Sequence, residues 1–209
     1  MKKSKQAKKT SVWFQRHSKD AHVKQAKREG KRSRAAFKLT EIITRHGLTI
    51  QAGQVVVDLG CAPGSWSVEL ARLVGKNGLI IGIDLLPLSA IEGVQLIRAD
   101  FNSEEGQQQL KHALAGRVVD LVVSDIAPEM SGNKLVDQMR MIGLNEMTLH
   151  FAQTHLRTGG CMLVKSFMGE GYDNFRQTLG QVFSRVKHIK PAASRSTSAE
   201  FFLLAQGLK

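Results

Sequence analysis

The fold of this chain is decided by the stretch Val55-Val56-Val57-Asp58-Leu59-Gly60-Cys61-Ala62-Pro63-Gly64-Ser65-Trp66. A run of β-branched apolar residues precedes a glycine-containing turn, and apolar residues at helical spacing follow it. This order predicts a strand, a tight turn and a helix of an α/β unit. Gly60 and Gly64 would let the backbone approach a ligand where a Cβ atom would clash. The stretch therefore predicts a ligand-binding turn.

A second apolar run, Leu79–Asp84, ends in a carboxylate about 24 residues after Gly60. At this spacing α/β folds hold the hydroxyls of a ribose, so the ends of two strands point to one nucleoside. The dinucleotide pattern G-x-G-x-x-G and the triphosphate pattern G-x-x-x-x-G-K-[ST] are both absent. Their absence disfavours a dehydrogenase, which we keep as a third hypothesis, and favours a ligand without phosphates to bind.

The periodicity of the whole chain predicts an α/β fold. Ser33 is predicted to cap a helix that runs to His46 and ends before Gly47. Strands are predicted at 54–59, 79–84, 94–99, 118–124, 161–167, 182–189 and 200–206, and helices at 64–74, 103–115, 136–156 and 172–180. Such alternation predicts a Rossmann-like, mainly parallel seven-stranded sheet with helices on both faces. The loop 190–199 is too short for a crossover helix, so we predict that the last strand is antiparallel.

Positive charge is concentrated at the N-terminus. Residues 1–38 contain 14 Lys and Arg against Asp20 and Glu29, which accounts for the whole net charge of +12. We therefore predict a basic arm over 1–32, with the first ten residues disordered, and a single domain over 33–209. Trp13 and Phe14 lie among these cations, a pattern that favours contact with the phosphates of a nucleic acid over a merely solvated tail.

Other functions receive little support from the composition. Two cysteines, Cys61 and Cys161, are too few for a disulfide framework, and the histidines show no spacing typical of a metal site. No apolar run is long enough to span a membrane. We expect a cytoplasmic protein, a monomer, that binds no metal and no membrane.

Ionisable residues mark the predicted crevice at the carboxyl ends of the strands. Asp125 follows a strand in the turn Ser124–Pro128. The sequence supports two interpretations of this residue equally, a turn-forming residue before proline and a catalytic group. Lys165 interrupts an apolar strand, and a buried amine is costly without a partner. Beside Asp125 it would be either a structural ion pair or a working group. Lys38 and Glu200 lie at the same crevice or its rim, although Glu200 alone indicates almost nothing.

Several motifs together resemble the FtsJ family of ribosomal RNA ribose 2′-O-methyltransferases, from about Trp13 to Gly207. They are Arg32-Ser33-Arg34-Ala35, Asp58–Trp66, Asp84–Pro87, Asp100-Phe101, Ser124–Pro128, Val164–Phe167, and Ser194-Arg195-Ser196 followed by Glu200. Where the family usually has Ala-Ala-Pro-Gly-Gly-Trp, this chain has Cys61 and Ser65 at the first and fifth positions. The resemblance implies a fold that binds S-adenosylmethionine and a substrate in the 23S rRNA of the large ribosomal subunit, with uridine as the expected nucleotide.

The resemblance also implies roles for individual residues. A catalytic Lys-Asp-Lys-Glu tetrad corresponds to Lys38, Asp125, Lys165 and Glu200. Cofactor contacts correspond to Gly60, Gly64, Trp66, Asp84, Asp100 and Asp125. In this interpretation Lys165 orients the ribose hydroxyl and takes or relays its proton, while Asp125 and Glu200 fix the two amines. The methyl group then passes to the oxygen by in-line displacement.

Other chemistries on the same fold fit less well. The turn Asp125-Ile126-Ala127-Pro128 lacks the aromatic residue that base-amine methyltransferases use, and neither cysteine is placed to attack a pyrimidine. A non-catalytic RNA-binding assembly factor is the alternative from another class. Lys165 argues against it, because a pure binding protein has no need of a buried amine.

Overall fold

The computed structural model describes residue 28, residues 30–194 and residues 198–209. The predicted disorder of the first ten residues, the aromatic residues Trp13 and Phe14, and the motif residues Arg195 and Ser196 lie outside the described residues. In chain order the elements are α1 (Ala35–His46), β1 (Val55–Leu59), α2 (Ser65–Val74), β2 (Leu79–Asp84), β3 (Val94–Arg98), α3 (Glu104–Leu114), β4 (Val119–Ser124), α4 (Lys134–His155), β5 (Leu156–Phe167), α5 (Tyr172–Val182), β6 (Phe183–Ile189) and β7 (Glu200–Leu208).

Most boundaries lie within two residues of the sequence prediction, and β5 differs by more. Helix α4 begins at Lys134, because the Asn133 side chain accepts hydrogen bonds from the backbone N–H groups of Leu135 and Val136. Helix α1 is preceded by Arg34 rather than Ser33 as its N-cap residue, although Ser33 Oγ accepts the Ala35 N–H at 3.1 Å. Strand β5 begins at Leu156 instead of 161, and its pairing with β4 is irregular over these added residues.

The strands form one seven-stranded sheet in the order β3-β2-β1-β4-β5-β7-β6. Strands β1 to β5 pair in parallel. Strand β7 lies between β5 and β6 and is antiparallel to both. The predicted mainly parallel sheet with an antiparallel last strand is therefore confirmed. Because the first five strands are parallel, their carboxyl ends meet along one edge, where ligands of such sheets bind.

Apolar side chains cover both faces of the sheet. Helices α3, α4 and α5 pack on one face through residues such as Leu110, Phe151 and Leu179. Helices α1 and α2 pack on the other face through residues such as Leu39 and Leu70. Successive residues of a strand point to opposite faces, so this division decides which side chains meet at the carboxyl edge.

A turn follows β1 directly, as the sequence predicted, and the space beside Gly60 is filled by Ile126. Gly60 has φ +72°, a region that favours glycine, and a Cβ atom at this position would lie 2.2 Å from Ile126 Cγ1. The missing side chain lets the turn after β1 pack directly against the turn after β4. These two turns form neighbouring walls of the site described next.

Candidate active site

Strand alternation brings the four predicted catalytic residues to one face of the sheet. Lys165 lies in β5, Asp125 follows the last residue of β4, and Glu200 is the first residue of β7. Their neighbours Val123, Leu163 and Phe202 all belong to the apolar layer beneath α1 and α2. Because side chains two residues apart share a face, the three ionisable groups point to the same side. Lys38 reaches them from α1.

The four groups form two ion pairs. Lys165 Nζ lies 3.0 Å from Asp125 Oδ1 and also donates a hydrogen bond to the Asp125 carbonyl oxygen. Lys38 Nζ lies 2.7 Å from Glu200 Oε1. The lysines are only 5% and 7% exposed, so each amine depends on its carboxylate for the stability of its charge. The sequence-based expectation that Lys165 lies beside Asp125 agrees with this arrangement.

The two pairs are coupled electrostatically at Glu200. Burial alone would raise the pKa of this carboxyl group, but the positive charge of Lys38, together with that of Lys165, outweighs burial and lowers the pKa. Lys38 Nζ also lies 5.5 Å from the centre of the Phe202 ring, a cation–π distance. Lys190 donates hydrogen bonds to the carbonyl oxygens of Ser198 and Glu200 and so anchors the start of β7. Glu200 is therefore an ionised, positioned group.

A cleft of about 690 Å³ opens beside the tetrad at the carboxyl ends of β1, β2 and β4. Its size is typical of a small-molecule site. Four of the predicted cofactor residues line it, namely Gly60, Asp84, Asp100 and Asp125. Asp125 is also a member of the tetrad, so it joins the cleft to the ion pairs.

Hydrogen bonds to aspartates hold the walls of this cleft. Asp84 accepts the N–H of Ala62 at 2.9 Å with one carboxylate oxygen and the N–H of Leu86 at 2.8 Å with the other. Asp100 accepts the N–H of Asn102 at 2.8 Å. Each carboxylate thus fixes a loop, and its remaining lone pairs stay available to a ligand.

The charge of the cleft suits a cationic ligand. Its lining includes the carboxylates of Asp84, Asp100, Asp125 and Glu129, and no Lys, Arg or His of the described residues. Such a site would repel a phosphate and attract a positive charge. S-adenosylmethionine carries a sulfonium and an ammonium group and no phosphate, so the residues present fit it. Apolar side chains such as Ile83, Leu85 and Phe101 complete the lining.

Two predicted cofactor residues do not line the cleft. Trp66 is buried, its Nε1 donates to the Ala35 carbonyl oxygen at 2.8 Å, and its ring lies 5.5 Å from that of Phe202. Trp66 thereby joins α2 to α1 and β7 below the tetrad. Gly64 is the N-cap residue of α2 with φ +90°, and a Cβ there would lie 2.5 Å from Ile91 Cδ1. A direct cofactor contact of these two residues rests on the resemblance alone, whereas their positions support the turn.

One buried carboxylate that does not line the cleft, that of Asp58, has a role that the sequence reasoning missed. Asp58 is 1% exposed and accepts a hydrogen bond from Ser67 Oγ at 2.6 Å. Burial raises its pKa to about 7; the bond from Ser67 opposes this rise, and the charges of Asp125 and Asp84 add to it. The available signal was an Asp inside an otherwise apolar strand. Asp58 can therefore exchange a proton near neutral pH in response to charge in the cleft.

Two buried amides on α4 were also missed. Asn145 Nδ2 donates a hydrogen bond to Ser166 Oγ at 2.9 Å, and Ser166 is the residue directly after Lys165. Gln138 Nε2 donates to the Met168 carbonyl oxygen at 2.7 Å. The two amides lie seven residues apart, so they occupy one helix face. Their hydrogen bonds connect the end of β5 and the following turn to α4. The sequence signal that could have identified these amides was their spacing among the apolar residues of a predicted helix.

Other kinds of site are not supported by the described residues. Among them no group of three or more His, Cys, Asp or Glu could hold a metal ion. In that same part of the chain no helix has the length and apolarity needed to cross a membrane. Burial raises the pKa of the Cys61 and Cys161 thiols, and both are free, which disfavours either as an attacking thiolate.

The family follows from a match over most of the chain. The model of the family described as FtsJ-like methyltransferase matches residues 31–208. The chain belongs to the FtsJ-like methyltransferase family. It is an enzyme whose cofactor is S-adenosylmethionine, as the resemblance implied. The non-catalytic alternative receives no support from the proteins to which this methyltransferase is similar.

Relatives of this methyltransferase agree in sequence and fold. A protein of Verminephrobacter eiseniae named ribosomal RNA large subunit methyltransferase E is 46% identical over 99% of this chain and 85% of its own length. A protein of the same name from Acinetobacter baumannii is 47% identical over 97% and 94%. A Plasmodium falciparum crystal structure described as a ribosomal RNA methyltransferase superposes with TM-score 0.74 at 28% identity, covering 85% of this chain and 98% of the other. The fold is shared by fibrillarin from Aeropyrum pernix, whose crystal structure contains natively bound S-adenosylmethionine. It is 19% identical and superposes with TM-score 0.59, covering 83% of this chain and 74% of the other.

Proposed function

We propose that this methyltransferase transfers the methyl group of S-adenosylmethionine to a ribose 2′-hydroxyl, that of a uridine, in the 23S rRNA of the large ribosomal subunit. The observation that carries the proposal is the position of Asp125. Its side chain lines the acidic cleft and pairs with Lys165, so a cofactor in the cleft and a nucleotide at the tetrad would meet at one residue. The names of the relatives at 46% and 47% identity support ribosomal RNA as the substrate.

The four tetrad residues have distinct parts in this proposal. S-adenosylmethionine, when bound, supplies a methyl group attached to a positively charged sulfur. Lys165 orients the ribose hydroxyl and relays its proton: the ammonium passes one of its own protons to the Asp125 carboxylate and takes the hydroxyl proton in exchange. The Asp125 carbonyl oxygen, which also accepts a hydrogen bond from the amine, holds Lys165 in place. Lys38 and the ionised Glu200 position the nucleotide. The ion pairs already fix these groups, so binding need not reorganise them.

The residues named for cofactor binding remain part of the proposal. Gly60 and Asp84 lie at the ends of neighbouring strands, and in this proposal Asp84 accepts hydrogen bonds from the hydroxyls of the cofactor ribose. Asp100 and Asp125 line the same cleft. Gly64 and Trp66 would act through the shape of the turn rather than by contact.

The organisation of the chain in two parts belongs to the same proposal. We assign residues 1–32 to a basic arm that contacts the large subunit through rRNA phosphates, and residues 33–209 to the methyltransferase domain. The 12 Lys and Arg of residues 1–32 support the arm. Ribosomal RNA as substrate favours a cytoplasmic site of action. We propose a monomer, which sedimentation would test.

The decisive experiment is methyl transfer with radiolabelled S-adenosylmethionine and, in parallel, large ribosomal subunits, free rRNA and tRNA. Label in subunit rRNA at an alkali-resistant bond is expected, because a methylated 2′-oxygen blocks alkaline cleavage. The Lys165→Ala variant should lose transfer yet bind the cofactor almost as the wild type does, since Lys165 does not line the cleft. Label at alkali-sensitive positions, or equal loss of transfer and cofactor binding in the variant, would contradict the proposal.

A further inference from the structure

One aromatic side chain beside the tetrad has no structural task that the fold explains. Among the Phe, Trp and Tyr residues in the described part of the chain, all but Phe37 and Phe167 are buried. Phe37 lies beneath the Lys31 ammonium group, 5.3 Å from the ring centre. Phe167 is half-buried and belongs to neither apolar layer of the described residues. Within those residues its ring stacks on no other aromatic ring.

Phe167 is a neighbour of two tetrad residues, Lys165 in the same strand and Glu200 in the next strand. It lies two residues after Lys165 in β5, so both side chains point to the same face of the sheet. It is nearer to the carboxyl end of the strand, where a ligand enters the crevice. Its partner in the neighbouring strand is Glu200, whose carboxylate is paired with Lys38. Phe167 therefore stands directly above the tetrad.

The spacing suits a nucleotide. Two residues along a strand cover about 6.7 Å, which is comparable with the span from a ribose hydroxyl to the base attached to that ribose. A ribose held at Lys165 would thus place its base over Phe167. Unpaired RNA bases are commonly recognised by stacking on aromatic rings, and a half-buried ring that packs against no aromatic ring of the described residues can offer such a platform.

We propose that Phe167 is a substrate-positioning residue whose ring stacks on the base of the nucleotide that is methylated. This inference rests on the proposed function, because it requires an RNA ribose at the tetrad. Stacking fixes the glycosidic orientation of the nucleotide and thereby holds its 2′-hydroxyl over Lys165. The contact is independent of base edges, so it positions any base, and recognition of a particular base must come from other contacts.

The kinetic test compares Phe167→Leu with Phe167→Tyr. Leucine keeps apolar bulk but lacks an aromatic face, whereas tyrosine keeps the face. We expect Phe167→Leu to lower kcat/KM for rRNA about tenfold, with unchanged affinity for S-adenosylmethionine, and Phe167→Tyr to retain wild-type values. Val118→Ala, an exposed apolar position 61% accessible at the opposite end of β4, is the control. An unchanged kcat/KM in Phe167→Leu, or an equal loss in both variants, would overturn the proposal.

A second measurement does not depend on turnover. In Phe167→Trp the new indole should be quenched when rRNA is added, beyond the response of the wild type with its Trp13 and Trp66, because a stacked base quenches indole fluorescence. A response identical to that of the wild type would refute stacking. If the wild type methylates no rRNA, the proposed function fails. If the wild type is active and Phe167→Leu equals it, only the role of Phe167 fails.

Discussion

Replacing Asp58 by Asn tests whether burial controls the electrostatics behind the cofactor cleft. Asparagine has nearly the same shape and can still accept the hydrogen bond that Ser67 Oγ donates at 2.6 Å. It cannot ionise, however. The two proteins should therefore differ in how their stability depends on pH rather than in their fold.

The magnitude follows from the pKa of the buried group. Burial raises the pKa of Asp58 from 3.8 to about 7. Between these pH values the unfolded chain has released the proton and the folded chain retains it, so folding takes up a proton. The contribution of Asp58 to stability is then most favourable below pH 3.8, declines as pH rises, and becomes constant above pH 7. The contribution of Asp58 to the free energy of unfolding declines by about 4 kcal/mol in total, which is about 1.4 kcal/mol per pH unit.

The assay is denaturant unfolding of both proteins at several pH values between pH 5 and pH 8. As pH rises across this range, the free energy of unfolding of Asp58→Asn should increase by about 3 kcal/mol relative to that of the wild type, since only the wild type loses stability through this group. Glu92→Gln, at an exposed turn, serves as the control and should show a constant difference. A constant difference for Asp58→Asn as well would refute the reasoning, because Asp58 would then be ionised in the folded protein throughout.

Two further predictions concern the cleft and the arm. Gly60→Ala should lower stability and weaken binding of S-adenosylmethionine at least tenfold by calorimetry, because its Cβ would meet Ile126; Gly116→Ala, which has a similar φ of +79° but open space around it, is the matched control and should leave binding unchanged. Equal binding losses in both would contradict the packing argument. Affinity for rRNA should fall steeply with salt, and less steeply once the five lysines of the first ten residues are replaced by glutamine. Binding that barely changes with salt would exclude the arm as a phosphate contact.

Much of the fold could be predicted because its signals are local. Apolar runs bounded by glycine predicted all seven strands, and the short loop 190–199 predicted the antiparallel direction of β7. The extension of β5 to Leu156 escaped prediction, since Thr158-Gly159-Gly160 resembles a loop in isolation. Pairing with β4 draws these residues into the sheet despite their weak strand propensity.

By itself the sequence determined the order of strands and helices, the glycine turn and the identity of the ionisable residues, because each depends on neighbours within a few positions of the chain. Only the tertiary structure decided how those residues meet. It placed Asp125 between the cleft and Lys165, joined Lys38 to Glu200 across 162 positions, and buried Asp58 so that its pKa lies near 7. Burial and charge pairing depend on distance in space, and a linear pattern carries no measure of that distance.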